Sequence, residues 1–228
     1  MTPALTQFET RDALMQAAAA RLRDALARGL AARGQAGVAL SGGSTPEPAY
    51  AALARAELDW TNVTFALVDE RFAPPSDPAS NEGMLRRALG PALANGAKLL
   101  PMWSDAATLD EAAARADALY APLHYDLALM GMGADAHTAS WFPDAARLPE
   151  ALKPAAPAHV ISISSAAAAG RSERLTLTYA ALAKADALLL MITGAEKLAR
   201  LEAAAGEPVT EAPVKALFDL PLEVFWAP

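Results

Sequence analysis

Cysteine is absent from the 228 residues, which excludes disulfides, thiolate metal sites and a cysteine nucleophile together. Long apolar runs are absent as well. Although 54% of the residues are hydrophobic, much of that is alanine in helix-favouring runs such as Ala17–Ala20 and Ala112–Ala114. No stretch reaches the roughly 20 apolar residues of a membrane span. The opening residues, Met1 to Thr10, lack a basic segment followed by an apolar one, so no secretory signal, no membrane partner and a cytoplasmic location are expected. Asn62-Val-Thr64 then matches a glycosylation acceptor by spacing alone. Basic charge is scarce, with a net charge of −7. That balance disfavours a nucleic-acid partner, which needs a basic surface. It leaves room for an anionic small molecule, because a few arginines and oriented amides make a local positive pocket. Histidine is also scarce, three in all with no H-E-x-x-H, which argues against a zinc hydrolase. The lack of G-x-S-x-G argues against a serine hydrolase of the α/β-hydrolase type.

What remains is a regular alternation of patterns. Leu14, Ala18, Leu22, Leu26 and Leu30 recur every four residues before Gly34, which predicts a helix over 11–33. Five short apolar runs read as buried strands: 37–40, 63–68, 126–130, 159–163 and 187–192. Helical stretches are expected at about 46–55, 81–89, 108–121, 174–185 and 195–205. Proline-rich tracts at 74–78 and 149–157 read as surface loops. Strands alternating with helices point to one α/β domain spanning 1–228, a mostly parallel sheet with helices on both faces. Motifs sit just after the strand runs, where open α/β folds bind ligands, so segments 41–48, 69–82, 131–143 and 193–197 are expected to converge on one pocket.

Each motif has its own chemistry. Ser41-Gly-Gly-Ser-Thr-Pro46 leaves a strand and opens a helix, where Ser41, Gly42, Gly43, Ser44 and Thr45 offer amides and hydroxyls to an anion. The same pattern also suits an ordinary capped turn, and it lacks the Gly-Lys-Ser/Thr ending of a P-loop. Asp69-Glu-Arg71 puts charge at a strand end; Arg71 suits a phosphate and Asp69 a substrate hydroxyl or a base, against the plainer reading of a surface ion-pair cluster. Gly131-Met-Gly-Ala-Asp-Ala-His137 fits the degenerate dinucleotide fingerprint, but the acid about 20 positions on is Glu150 within Leu148–Pro154, which is no strand. A nucleotide site is therefore not expected. His137 after a glycine-rich turn suits a general acid/base, with Asp135 or Asp69 to orient it; His124 and His159 are assigned to structure. Arg174, with Arg171 as its rival, and Lys197 near the start of a helix either meet an anion or lie solvated on helix surfaces.

Taken together, the segments resemble the 6-phosphogluconolactonase family, within the glucosamine/galactosamine-6-phosphate isomerase superfamily. The likeness rests on Leu40–Pro46, Asp69-Glu-Arg71 with Ser80-Asn81, Gly131–Pro143, Arg174–Thr178 and Gly194–Lys197, in order over most of the chain. It implies a Rossmann-like three-layer α/β sandwich of the kind shared with glucosamine-6-phosphate deaminase. It also implies a hydrolysis of a phosphorylated sugar lactone without cofactor or metal, by a monomer or small homo-oligomer. On that pattern His137 is the general base toward water, with Asp69 and Asp135 as the other catalytic residues. Gly131 and Gly133 border the oxyanion, and Arg71, Arg174, Lys197 and Ser41–Thr45 hold the phosphate. The deaminase branch is the enzymatic rival, although Thr138-Ala-Ser-Trp-Phe-Pro143 and Asp69-Glu-Arg71 look like the lactonase. A sugar-phosphate sensor is the non-enzymatic one; it would normally add a helix-turn-helix, whereas the residues before Gly37 read as one long helix. The family usually has Gly where this chain has Ala136, so a positive φ there would strain it by about 1 kcal/mol.

Overall fold

A computed structural model describes residues 3–168 and 170–228. Seven strands form one parallel sheet: β1 (Ala4–Gln7), β2 (Ala36–Leu40), β3 (Val63–Leu67), β5 (Lys98–Leu99), β6 (Leu127–Met130), β9 (Leu188–Thr193) and β10 (Leu222–Ala227), in the order β1-β10-β9-β6-β2-β3-β5. Three more, β4 (Asp69–Arg71), β7 (Val160–Ser164) and β8 (Glu173–Leu177), form an antiparallel sheet in the order β4-β8-β7. Every residue of β2 and β6 is buried. Successive strand residues point to opposite faces, so the centre of the large sheet is covered on both.

The helices are α1 (Arg11–Arg33), α2 (Glu47–Leu53), α3 (Asn81–Ala88), α4 (Gly90–Ala94), α5 (Leu109–Tyr120), α6 (Leu148–Ala151), α7 (Tyr179–Leu182) and α8 (Ala195–Ala204). The every-fourth-residue pattern of α1 is its buried face: Leu14, Ala18, Leu22 and Leu26 are fully enclosed, and Leu30 is half-buried at the end. Thr10 starts this helix by accepting from the Ala13 N–H at 3.1 Å, satisfying one of the donors a helix start leaves unpaired. Helix α1 packs on β2, β6 and β10 and against α2, while α5 covers β7 and β8 of the small sheet. Among the described residues no helix is long and apolar enough to cross a membrane.

Three expectations need correction. Residues 174–185 are not one helix, because Glu173–Leu177 is β8 and only Tyr179–Leu182 is helical; the alternating Leu-Thr-Leu-Thr run prefers the pleated backbone, and the alanine-rich continuation made it read as helix. The run 159–163 belongs to the antiparallel sheet, not the parallel one. The tract 149–157 begins inside α6, with Pro149 in the first turn, where no N–H is required. Strands β1, β4, β5, β8 and β10 add to the five expected, and β1 precedes α1.

Between β2 and β6 the winding reverses: from β2 the chain proceeds outward through β3 to β5, then returns to β6 on the other flank of β2. At such a switch point the loops after the two strands part in opposite directions and leave a crevice. Those loops begin at Ser41 and Gly131.

Burial along α1 and α5 sets a contrast in stability. Leu22→Ala, at 0% exposure, should lower the unfolding free energy by about 2–5 kcal/mol. Leu119→Ala, at 45% exposure, should change it by less than about 0.5 kcal/mol. Urea denaturation of both variants checks this, and equal losses would contradict the assignment of the two helix faces.

Candidate active site

The crevice opens into a cavity of about 340 Å³. Three loops of the large sheet and two strands of the small one line it: Ser41–Pro46, Gly131–Gly133 with His137, Thr193 with Lys197, and then Asp69, Arg71 and Arg174. The segments expected to converge do converge.

His137 sits on a tight loop. Its Nδ1–H donates to Asp135 Oδ1 at 2.5 Å, since a carboxylate can only accept. Among the described residues no protein group hydrogen-bonds Nε2. Burial works against the Asp135 carboxylate, but the hydrogen bonds and charge of His137 outweigh it and hold the carboxyl below its usual range. The ring is fixed on two sides. Phe142 packs against it with centroids 4.4 Å apart, and Gly133 lies so close that a Cβ there would sit 2.1 Å from His137 Cε1. A side chain at 133 would displace the ring.

The loop closes on itself: Gly133 N–H donates to the His137 carbonyl at 2.9 Å and Ala136 N–H to Gly133 at 3.1 Å. The Gly133 amide is therefore engaged within the loop, although Gly133 itself lines the cavity with Gly131. Ala136 does take a positive φ of 64°. The left-handed backbone costs alanine about 1–2 kcal/mol. Its fully buried methyl returns roughly 0.8 kcal/mol of that, so the loop carries a small strain at Ala136.

Asp69 is buried at the start of β4. Its carboxylate accepts from Ser140 Oγ at 2.6 Å and does not touch His137; Asp135 is the histidine's partner. Arg71 and Arg174 face each other as register partners across β4 and β8. Arg71 Nη1 donates to the Ala79 carbonyl at 2.6 Å, and Arg71 Nε, like Ser41 Oγ, is buried without a protein partner among the described residues. Burial and the Arg71 charge disfavour the Arg174 cation, while Asp69 supports it. Its guanidinium lies 5.7 Å over the Phe142 ring, a cation–π arrangement. Arg171 instead pairs with Asp77 on the exterior at 2.6 Å, so of the two it is Arg174 that lines the cavity. Lys197, in the first turn of α8, donates to the Met132 carbonyl at 2.6 Å, and burial holds its ammonium below its usual value.

Several side chains that organise the site were legible in the sequence only as members of motifs, with no individual role. Glu70 is fully buried. Its carboxylate accepts from the backbone N–H of Arg71 (2.6 Å), Asn81 (2.8 Å) and Glu82 (2.7 Å) and from Ser80 Oγ (2.9 Å). It thereby staples β4 to the start of α3. Trp141, fully buried, donates through Nε1 to the Leu177 carbonyl at 2.8 Å, and Thr138 Oγ1 donates to the Gly131 carbonyl at 2.8 Å. The Thr138–Pro143 segment thus fixes the histidine loop to both sheets. His124 and His159 lie outside the cavity. His124 pairs with Asp186 at 3.0 Å, and His159 contacts Lys184 at 2.9 Å. Among the described residues, His124, Asp126 and Asp186 form the one group near enough to share a cation, at the amino ends of the strands. Asp126 is already bound by Arg33 and by the Gly37 N–H.

Residues 9–226 match the family model described as glucosamine-6-phosphate isomerases/6-phosphogluconolactonase. A 6-phosphogluconolactonase of Rhizobium meliloti (strain 1021) is 43% identical over 97% of either chain. One of Mesorhizobium japonicum is 40% identical, covering 97% of this chain and 94% of that one. Among solved structures, a 6-phosphogluconolactonase from Shewanella baltica OS155 superposes with a TM-score of 0.92 at 30% identity, over 99% of this chain and 98% of that one.

The Glu70 staple generates a pH dependence. Burial pushes its carboxyl up to about 7, from an ordinary 4.5, against the downward pull of its four donors. A folded value above the unfolded one means the folded chain holds the proton more tightly. The contribution is complete below about pH 4.5 and is lost as the pH rises through about 7. In Glu70→Gln that titration is gone, so the stability gap between parent and variant should narrow by roughly 2–3 kcal/mol from pH 4.5 to 8. Urea titrations across that range provide the measurement, and a constant gap would contradict it.

Proposed function

Because the chain belongs to the family of glucosamine-6-phosphate isomerases and 6-phosphogluconolactonases, we propose that it hydrolyses 6-phospho-D-glucono-1,5-lactone to 6-phospho-D-gluconate, the lactonase step of the oxidative pentose phosphate pathway. The observation that carries this reading is His137, paired with Asp135 at 2.5 Å, lining one cavity with Arg71, Arg174 and Lys197: an imidazole base beside a site for a phosphate dianion.

In this mechanism Asp135 fixes the His137 tautomer, leaving Nε2 as the base. Nε2 takes a proton from water as its oxygen attacks the C1 carbonyl. The tetrahedral intermediate then collapses, the bond from C1 to the ring oxygen breaks, and the proton on Nε2 passes to that oxygen. Water is the only co-substrate, and the proton transfers all pass through His137, so these steps call on neither metal nor cofactor. Arg71, Arg174, Lys197 and the Ser41–Thr45 loop hold the phosphate and so set the carbonyl against His137. Asp69, with Ser140 on one oxygen, faces the sugar hydroxyls as an acceptor. Phe142 keeps the imidazole stacked and limits water on that side. The enzyme acts in this reading as one domain, a monomer or small homo-oligomer. It works in the cytoplasm, where a phosphorylated sugar acid is retained by its charge.

A pH-stat assay on freshly generated lactone should show acid release well above the spontaneous rate, with no ammonia from glucosamine-6-phosphate. Ammonia release without lactone hydrolysis would select the deaminase instead. His137→Ala should lower kcat by about 10²–10⁴, and an unchanged kcat would remove it from the mechanism. Arg71→Ala should chiefly raise KM for the phosphorylated lactone; an equal loss on unphosphorylated gluconolactone would remove its phosphate role.

A further inference from the structure

One side chain joins the parts of the cavity without a place in the chemistry above. Asn81 is 2% exposed and opens α3. Its backbone N–H donates to Glu70, so its position is set by the buried carboxylate. Its carboxamide faces two ways. Nδ2 donates to the Asp69 carbonyl at 2.8 Å and, more distantly, to the Asp69 carboxylate at 3.4 Å. Oδ1 accepts from Arg71 Nη1 at 2.5 Å. The Asp69 oxygens can only accept and the guanidinium can only donate, so the chemistry dictates which way the amide points. Above it lies the glycine loop: a Cβ on Gly42 would come within 1.8 Å of Asn81 Oδ1.

A purely architectural role is already filled by others. Ser80 caps α3 by accepting from the Gly83 N–H at 3.1 Å, and Glu70 receives the N–H groups of Asn81 and Glu82. The Asn81 carboxamide takes no part in that cap.

We propose that Asn81 is a positioning residue: its carboxamide fixes the Arg71 guanidinium relative to the Asp69 carboxylate beneath the Gly42 loop, and so sets the register between the phosphate contact and the sugar-hydroxyl contact. This deepens the lactonase reading and rests on it. Asn81→Ala removes both bonds. Asn81→Asp keeps an acceptor for Arg71 but turns a carboxylate oxygen toward the Asp69 oxygens, replacing a bond by repulsion.

The test is a double-mutant cycle of Asn81→Ala with Arg71→Ala, followed by turnover of the phosphorylated lactone and by calorimetric binding of inorganic phosphate. Asn81→Ala should raise KM about tenfold, as expected for a coupled charge-assisted bond, with a smaller change in kcat. On the Arg71→Ala background it should add less than twofold. Asn81→Asp, the variant to use if Asn81→Ala fails to fold, should move KM in the same direction and also lower kcat through Asp69. Additive effects of the two substitutions, or a lower melting temperature with KM unchanged, would overturn the proposal. If the parent itself shows no lactone turnover, the functional reading falls. The phosphate-binding cycle still decides on Asn81: an affinity loss that vanishes on the Arg71→Ala background supports it, and an unchanged affinity overturns it.

Discussion

The reversal of winding between β2 and β6 is the constraint on which the other features depend. Two parallel strands lie side by side, yet their following loops must leave in opposite directions, because one leads to β3 and the other away from it. Backbone that would otherwise cover the sheet end is drawn apart there. The glycine loop after β2 and the histidine loop after β6 thus both line the cavity and present groups of different chemical character to it. On one side are the hydroxyls of Ser41, Ser44 and Thr45; on the other is the imidazole of His137.

The small antiparallel sheet completes what the large one leaves open. Antiparallel register sets Arg71 directly opposite Arg174, a juxtaposition of like charges that is ordinarily unfavourable across a strand pair. It persists because Asp69, the carbonyl of Ala79 and the Asn81 carboxamide surround the guanidiniums. The same Asp69 is bound by Ser140 of the histidine loop, so the cationic wall and the base are held by one carboxylate. Two of the site's polar links, Ser140 to Asp69 and Trp141 to Leu177, run between the sheets.

Much of the large sheet was legible because its strands are short, apolar and closed by glycine or charge, and because α1 keeps a clean four-residue spacing. The small sheet was harder. Strand β4 has three residues, all charged, too few for any periodicity, and a charge run ordinarily means a solvated surface. Its middle residue, Glu70, is fully enclosed, and only the tertiary fold supplies the four donors that make this tolerable. In β8 the Leu-Thr alternation was present but ran into alanines that favour helix. Within the site, the residue types were readable and their pairings were not. Sequence distance placed Asp135 and Asp69 on equal terms, and the loop's left-handed turn at Ala136 is what folds Asp135 back onto the imidazole. The Gly133 amide looked available for a ligand until the loop's own carbonyl was seen to occupy it.

The opposed guanidiniums of Arg71 and Arg174 also bear on how the molecule behaves as a whole. Each guanidinium disfavours the charge of the other at the joint between β4 and β8, where the small sheet meets the cavity. A dianion seated between them converts that repulsion into two attractions. In the proposed function it would therefore act as a structural counterion as well as a ligand, tightening the small sheet onto the large one. Occupancy of the site and cohesion of the fold are in this way thermodynamically linked, and salt, which screens the repulsion and the attraction alike, weakens both halves of that linkage together.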